Sequence, residues 1–477
     1  MDRDELMKLD KSEIITILLS ALSTIEEQSA QIKEQSAKIV ELESRLNQTS
    51  RNSSKPPSSD VFTKPQSLRK PSGKKRGGQP GHKGSGFKLL HPPDFIVSHP
   101  PPICSSCSDA DACMATPHVS NRRYEVDIEI TAKITEHQVL RVTCPRTDEL
   151  LTGNFPVGIT STVQYGANLT ALAVSLNTIG MVSLNHTHEI LSDVFGVPLS
   201  IATIATMVKK CSQAVLKTVS AVKDALLREP LIHCDETSIR VDDRLNWAHV
   251  ASTKTLTYIS VEEKRGKEGM DSAGILPNYL GTAIHDCWSS YFKYDRIRHG
   301  LCCSHLLREL TAVTEKHHQK WAQKLTDLLL EMKKTKERLI CEGQYEAPEP
   351  VWQKYSHKYD EILGDAQEEN LLPEKVAKKK GRPKRGEVGS LVDRLVLRKH
   401  QWLLFFTDWS VPFSNNQAER DFRLFKVKQK VAGCFRTKEG ADDFARITSF
   451  VSTARKRGIS PFFAIKDALL NQPFAVK

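Results

Sequence analysis

Apolar residues recur along this chain at spacings that change several times, and each spacing predicts a different element. From 11 to 47, Leu18, Ile25, Ile32, Ile39 and Leu46 recur every seven residues, the repeat of one coiled-coil seam position. The other seam position is weak, with Gln28 and Gln35 ahead of Leu42. The pattern predicts a helix that pairs with a second copy or a partner helix, or that packs on its own protein. From 50 to 86, "SRNSSKPPSSDVFTKPQSLRKPSGKKRGGQPGHKGSG" has no period and a composition too polar to form a core, which predicts a flexible linker. Alternation returns in "YEVDIEITAKITEHQVLRV", read as strands.

From 165 to 225 the period is helical, interrupted at "FGVP" and restarted by Ser200 as an N-cap. Helix, glycine-containing turn, cap and helix outline a helix-turn-helix, and two packed helices with no DNA role share that outline. Beyond Pro230, "LIHCDETSIRV", "LNWAHVAST" and "TLTYISVEE" predict three antiparallel strands, followed by a helical stretch over 268–280 and a short strand in "TAIHDCWSSY". A charged helical insertion follows from 305. "AERDFRLFKVKQK" then predicts one continuous helix, with "FSNN" supplying capping side chains.

Length changes this picture: 477 residues exceed what one core fills, so several modules are expected. The boundaries predict a multidomain α+β protein. It has a coiled-coil helix (1–48), a flexible basic linker (49–95), a zinc-ribbon-like module (96–155) and a helical, HTH-like DNA-binding module (156–226). The first part of a catalytic core (227–304), a helical insertion with a basic loop (305–400) and the last part of the core with C-terminal helices (401–477) complete it. No run of about 18 apolar residues exists to span a bilayer. Acidic residues precede the first apolar stretch, the reverse of a secretory leader, so a cytoplasmic, nucleoid-associated protein is expected, with no membrane partner. Eleven cysteines, an odd number at irregular spacing, argue for buried thiols or metal ligands in a reducing compartment.

Charge adds a partner. The net charge is +11, from 68 basic and 57 acidic residues, and the excess is gathered in blocks. Between Asp60 and Asp94 there is no acidic residue, while Lys74, Lys75 and Arg76 sit among eight basic ones. Such a segment lies along a phosphate backbone and gains affinity by counterion release. "GRP", containing Arg382 and flanked by lysines and arginine, has the form of an AT-hook reaching into a minor groove, or is a solvated basic loop.

Candidate chemistry is of two kinds. Cys104 and Cys107 form a Cys-x-x-Cys knuckle, and Cys144 follows the alternating stretch, a set that suggests a zinc ribbon. Thr147 stands where a second knuckle would place its last cysteine, so the fourth ligand would have to be Cys113, His118 or His137. The second kind is acidic. "LIHCDE" and "AIHDCW" each run apolar, apolar, His, then Asp within two positions, so Asp235 and Asp286 can emerge at one end of one sheet. Glu419, on a helix, would be the third carboxylate. Three carboxylates can hold two Mg²⁺ or Mn²⁺ ions for in-line displacement at phosphorus, with Arg420, Arg423 and Lys426 bearing on the phosphates. His233 and His285 read equally well as buried, hydrogen-bonded neighbours of that site. Cys302, Cys303 and His305 are too tightly spaced for a metal site.

These motifs in order resemble the transposases of the insertion sequence 66 family: "SRNSSKPPSSD", "GGQPGHKG", "PVGITSTVQYG", "FGVPLSIATI", "HCDET", "HDCWSSYF", "NNQAERDFR" and "GCFRTKEGADDFARITSFVSTARKRG". The resemblance implies a DDE catalytic triad at Asp235, Asp286 and Glu419 on a ribonuclease H-like α/β core with a helical insertion. It also implies metal-dependent cleavage and transfer of the terminal inverted repeats of a bacterial or archaeal element, by a homodimer with small accessory proteins for some members. Thr147, and "KVKQKVAGCFRT" where Gly-Arg-Lys-Asn-Trp is commoner, depart from the family pattern. Two rivals stay open: a metal-dependent DNA nuclease of the same fold, and an inactive DNA-binding remnant.

Overall fold

A computed structural model describes residues 10–46, 92–99, 118–128, 130–371 and 385–476, with isolated positions between 101 and 111. Cys104, Cys107, Cys113, Lys74, Lys75, Arg76 and Arg382 lie outside the described residues. The chain divides into two compact units, residues 67–134 and the remainder. No helix among the described residues is long and apolar enough to cross a membrane.

Helix α1 (Lys11–Leu46) carries the heptad series on its surface, with Leu18, Ile25, Ile32 and Ile39 all exposed. The alternating stretch is corrected. Residues 118–128 and 130–140 form no strand, and only β1 (Arg141–Thr143) pairs, antiparallel, with β2 (Leu150–Thr152). Alternation without a partner strand and a covered face leaves the ladder unmade, and Val126, Ile128 and Ile134 are exposed. The β1–β2 turn holds Cys144, whose thiol is drawn below its ordinary range by hydrogen bonds with the Thr147 side chain and the backbone of Arg146 and Thr147.

Helix α2 (Ala167–Val174) runs into a π-helical turn (Ser175–Ile179), and α3 (Leu184–Asp193) and α4 (Ile201–Leu226) follow. Ser200 caps α4 by accepting the Thr203 N–H at 3.0 Å, as its sequence position predicts. One face of α4, with Ile204, Met207, Cys211, Val215 and Val219, shares a core with Ile447, Phe450, Val451 and Ile465 from the far end of the chain.

The central sheet is built from β3 (Leu231–Val241), β4 (Arg244–Ser252) and β5 (Thr257–Glu262), then helix α5 (Lys267–Ala273), β6 (Thr282–His285) and β7 (Arg298–Leu301). Its order is β5-β4-β3-β6-β7, with β3, β4 and β5 antiparallel and β3, β6 and β7 parallel. The β3–β4 hairpin turns on Asp242 and Asp243, both at positive φ (48° and 57°), as a two-residue turn between twisted strands requires.

The insertion comprises α6 (Cys303–His317), α7 (Lys320–Cys341), α8 (Glu349–Glu369), α9 (Gly386–Leu397), α10 (Lys399–Trp402) and α11 (Leu404–Thr407). Trp321, Leu329, Tyr359, Leu391 and Phe406 fill its core, which runs onto Ile284 of β6 and Leu301 of β7. Lys336 fastens the end of α11 by donating to the carbonyls of Phe405 (2.8 Å), Trp409 (3.2 Å) and Val411 (2.9 Å).

After the insertion come α12 (Asn416–Asp421), α13 (Arg423–Ala432), α14 (Lys438–Lys456) and α15 (Pro461–Leu469). The expected single helix is therefore broken at Phe422, whose ring is fully buried with that of Phe425 against Ile239 and Val241. Helix α14 covers the edge strand. Ser449 accepts the Ile259 N–H at 2.9 Å and Thr453 the Thr257 N–H at 3.1 Å, which satisfies backbone groups that would otherwise invite another strand.

Candidate active site

Strand periodicity places the first carboxylate. On β3, Ile239 and Val241 pack in one core with Ala418 of α12 and Phe422, the residue that ends it, and Asp235 shares their parity and so their face of the sheet. The parallel register places the second. His233 pairs with Ile284, the last pair of that ladder, and Asp286 follows the end of β6 directly, beside the stretch of β3 that carries Asp235. Asp235 itself stays within β3, paired with Val250 of β4, so the expectation that both aspartates emerge from one sheet end is corrected: only Asp286 leaves its strand. The third comes from α12, where Ala418 and the capping Phe422 just past the helix end are both buried and leave Glu419 at the margin.

One oxygen of each aspartate is held by a main-chain amide: Asp235 Oδ1 accepts from Glu236 N–H at 2.9 Å and Asp286 Oδ1 from Trp288 N–H at 3.1 Å. Glu419 Oε1 is buried without a hydrogen-bond partner and lies 3.6 Å from His305 Nε2. Burial, and then the charges of Glu236, Asp286 and Glu419, push the Asp235 carboxyl up to about 8, with His305 pulling the other way. Burial opposes charge on His305, but the Cys302 sulfur and the Glu419 carboxylate outweigh it and lift the imidazole to about 9.

This is the environment a divalent cation would relieve. The donors are oxygens, the charges of its neighbours raise the proton affinity of Asp235, and one buried oxygen lacks a partner. Among the described residues, however, no group of three or more His, Cys, Asp or Glu side chains is gathered tightly enough to hold a metal ion. Asp235, Asp286 and Glu419 thus form an electrostatic cluster, not a closed ligand shell.

Around the cluster, the two strand histidines are buried and hydrogen-bonded. His233 Nδ1 lies 2.9 Å from Asn415 Oδ1, and burial holds its imidazole below its ordinary range. His285 stacks on Tyr291 at 4.1 Å, sets Nε2 2.9 Å from His299 Nδ1, and is driven down to about 3 by burial. Glu236 points to the opposite face of β3, where Arg265 donates to Oε1 (3.0 and 2.7 Å) and Tyr291 to Oε2 (2.6 Å). The Arg265 guanidinium lies over the Trp288 ring at 4.1 Å and the Trp247 ring at 5.1 Å, bracing the loop that carries Asp286.

Arg420 and Arg423 are exposed beside Glu419, and Lys426 is half-buried one turn on. The expected cap is corrected: Asn415 precedes α12 but makes no side-chain cap bond, because its amide is engaged by β3. Sequence reasoning passed over His305, Asn415 and the Glu236–Arg265 pair. The only traces of the first two were a histidine opening a helix after "CC" and the paired asparagines before Glu419.

The pattern described as "Transposase IS66 family" matches residues 162–443, which takes in all three carboxylates, and a family of unknown function, DUF6444, matches residues 7–88. No curated protein matches the chain. Since the first match covers more than half of the 477 residues, the chain belongs to the IS66 family of transposases.

Proposed function

We propose that this transposase binds the terminal inverted repeats of an insertion element and cuts and joins DNA strands at a site made by Asp235, Asp286 and Glu419. The observation that supports the reading is the parallel β3–β6 pairing, which ends beside Asp235 and just ahead of Asp286, with Asp286 and Glu419 both within electrostatic reach of Asp235. Antiparallel β3–β5 beside parallel β6 and β7 supports a ribonuclease H-like core interrupted by the insertion.

The three carboxylates would hold Mg²⁺ or Mn²⁺, which when bound would activate a water or 3′-hydroxyl and stabilise the departing oxygen. The chain's own groups prepare the site. Main-chain amides orient Asp235 and Asp286, His305 stands 3.6 Å from Glu419, and Arg420, Arg423 and Lys426 would attract the phosphates. The linker, the hairpin of Cys144 and helices α3 and α4 would hold the element ends, α1 would pair two copies, and zinc would require Cys104 and Cys107 to join Cys144.

The test is strand cleavage and transfer on element-end DNA with Mg²⁺. Asp235→Asn, Asp286→Asn and Glu419→Gln should each lower both by roughly a thousandfold or more while end binding in EDTA is kept. Strand transfer retained by any of the three would refute the assignment. Pre-cut ends distinguish a transposase, which joins them, from a nuclease, which does not.

A further inference from the structure

Asn415 is only 1% exposed, and all four of its polar atoms are engaged with segments that carry the site. Its Nδ2 donates to the Cys234 carbonyl at 2.7 Å and its Oδ1 faces His233 Nδ1 at 2.9 Å. A carbonyl can only accept, so the amide has one orientation and His233 donates from Nδ1 to the amide oxygen. The Asn415 N–H is given to Cys302 Sγ at 3.1 Å, and its carbonyl receives the Glu419 N–H at 3.5 Å. Cys302 in turn donates its own N–H to the His285 carbonyl at 3.0 Å, one residue before Asp286, and its carbonyl accepts the His305 N–H at 3.2 Å.

One buried residue therefore touches β3 just ahead of Asp235, the start of the Glu419 helix, and Cys302, which caps the His305 helix and is bonded to the end of β6 ahead of Asp286. We infer that Asn415 is a positioning residue that sets how closely the three carboxylates approach one another, an inference that rests on their reading as the metal-holding groups. The role needs a planar group with an acceptor on one side and a donor on the other. Aspartate would set an oxygen against the Cys234 carbonyl, and alanine would leave both β3 partners unanswered.

The test uses the full chain without DNA, titrated with Mn²⁺ by calorimetry, together with the Mn²⁺ concentration that half-saturates cleavage. Asn415→Asp and Asn415→Ala should weaken Mn²⁺ binding by about ten- to hundredfold and raise the half-saturating concentration in parallel, with cleavage partly restored at high Mn²⁺. End binding in EDTA should be unchanged. Tyr359→Phe, which removes an equally buried hydrogen bond to the Leu395 carbonyl inside the insertion, should shift neither metal readout. His233→Ala removes the partner of Oδ1 from the opposite side and should weaken Mn²⁺ binding in the same direction, which provides a second route if an Asn415 variant does not fold. Native Mn²⁺ affinity and half-saturation in the variants would overturn the inference. No Mn²⁺ binding by the native chain, or binding unaltered by Asp235→Asn, would instead overturn the reading of the site itself.

Discussion

His305 Nε2 stands 3.6 Å from Glu419 Oε1, so the helix that opens the insertion touches the helix that follows its close. The long insertion thus leaves and returns at the carboxylate cluster, and its packing bears directly on where Glu419 sits.

That cluster gives the metal-free protein a defined response to pH. Asp235 is raised from 3.8 to about 8 and His305 from 6.5 to about 9, so each binds its proton more tightly folded than unfolded. Their stabilisation is complete below the unfolded values and is lost as pH climbs through the folded ones. His233, His249 and His285 are lowered, so they act oppositely, but only up to their unfolded value of 6.5. Thermal melts in EDTA should therefore fall from pH 7 to pH 9, and Asp235→Asn should flatten the slope. A slope of opposite sign, or one that Asp235→Asn leaves alone, would contradict the placement of these charges together.

Helix α12 is fixed at its far end by a buried ion pair. Lys456 Nζ donates to Asp421 Oδ2 at 2.8 Å and to the carbonyls of Thr253 (2.8 Å) and Leu256 (2.9 Å), with both side chains nearly inaccessible. Lys456→Met leaves Asp421 buried and unpaired and should cost about 3–5 kcal/mol in urea unfolding. Pairing it with Asp421→Asn should return part of that loss, whereas additive losses would show that the two side chains act independently.

Arg420 and Arg423 follow Glu419 and point to solvent. If they meet phosphates, replacing either with alanine should weaken binding to all DNA sequences alike and reduce the slope of log affinity against log salt by about 0.9. An unaltered slope would remove that arginine from the DNA-binding surface.

Self-association is expected to reside in α1, where Leu18, Ile25, Ile32 and Ile39 are 56–62% exposed on one heptad stripe. Deleting residues 1–47 should lower the mass in solution by light scattering from that of a dimer to that of a monomer, beyond the residues removed. A multimer that persists would place the contact elsewhere.

What could be read from the sequence alone was local. The seven-residue stripe of α1, the Ser200 cap, the hairpin strands and the apolar runs ahead of Asp235 and Asp286 follow from periodicity and from the side chains of a few consecutive residues. Those signals led to three acidic residues before any contact was known.

Only the tertiary structure decided how the acids meet. The pairing of His233 with Ile284 brings the end of β6, just ahead of Asp286, beside the part of β3 that carries Asp235, and nothing within either strand encodes which partner it takes or in what register. Asn415 looked like a cap because capping is the nearest use for an asparagine before a helix, yet a buried amide takes whichever donor and acceptor the fold brings to it, here 181 and 182 residues away. His305 was weighed only beside its two neighbouring cysteines, and its approach to Glu419, at 3.6 Å, comes from a residue far along the chain. The strands expected at 124–128 and 130–140 failed for the converse reason: alternation was present, but a ladder needs a second strand to receive it.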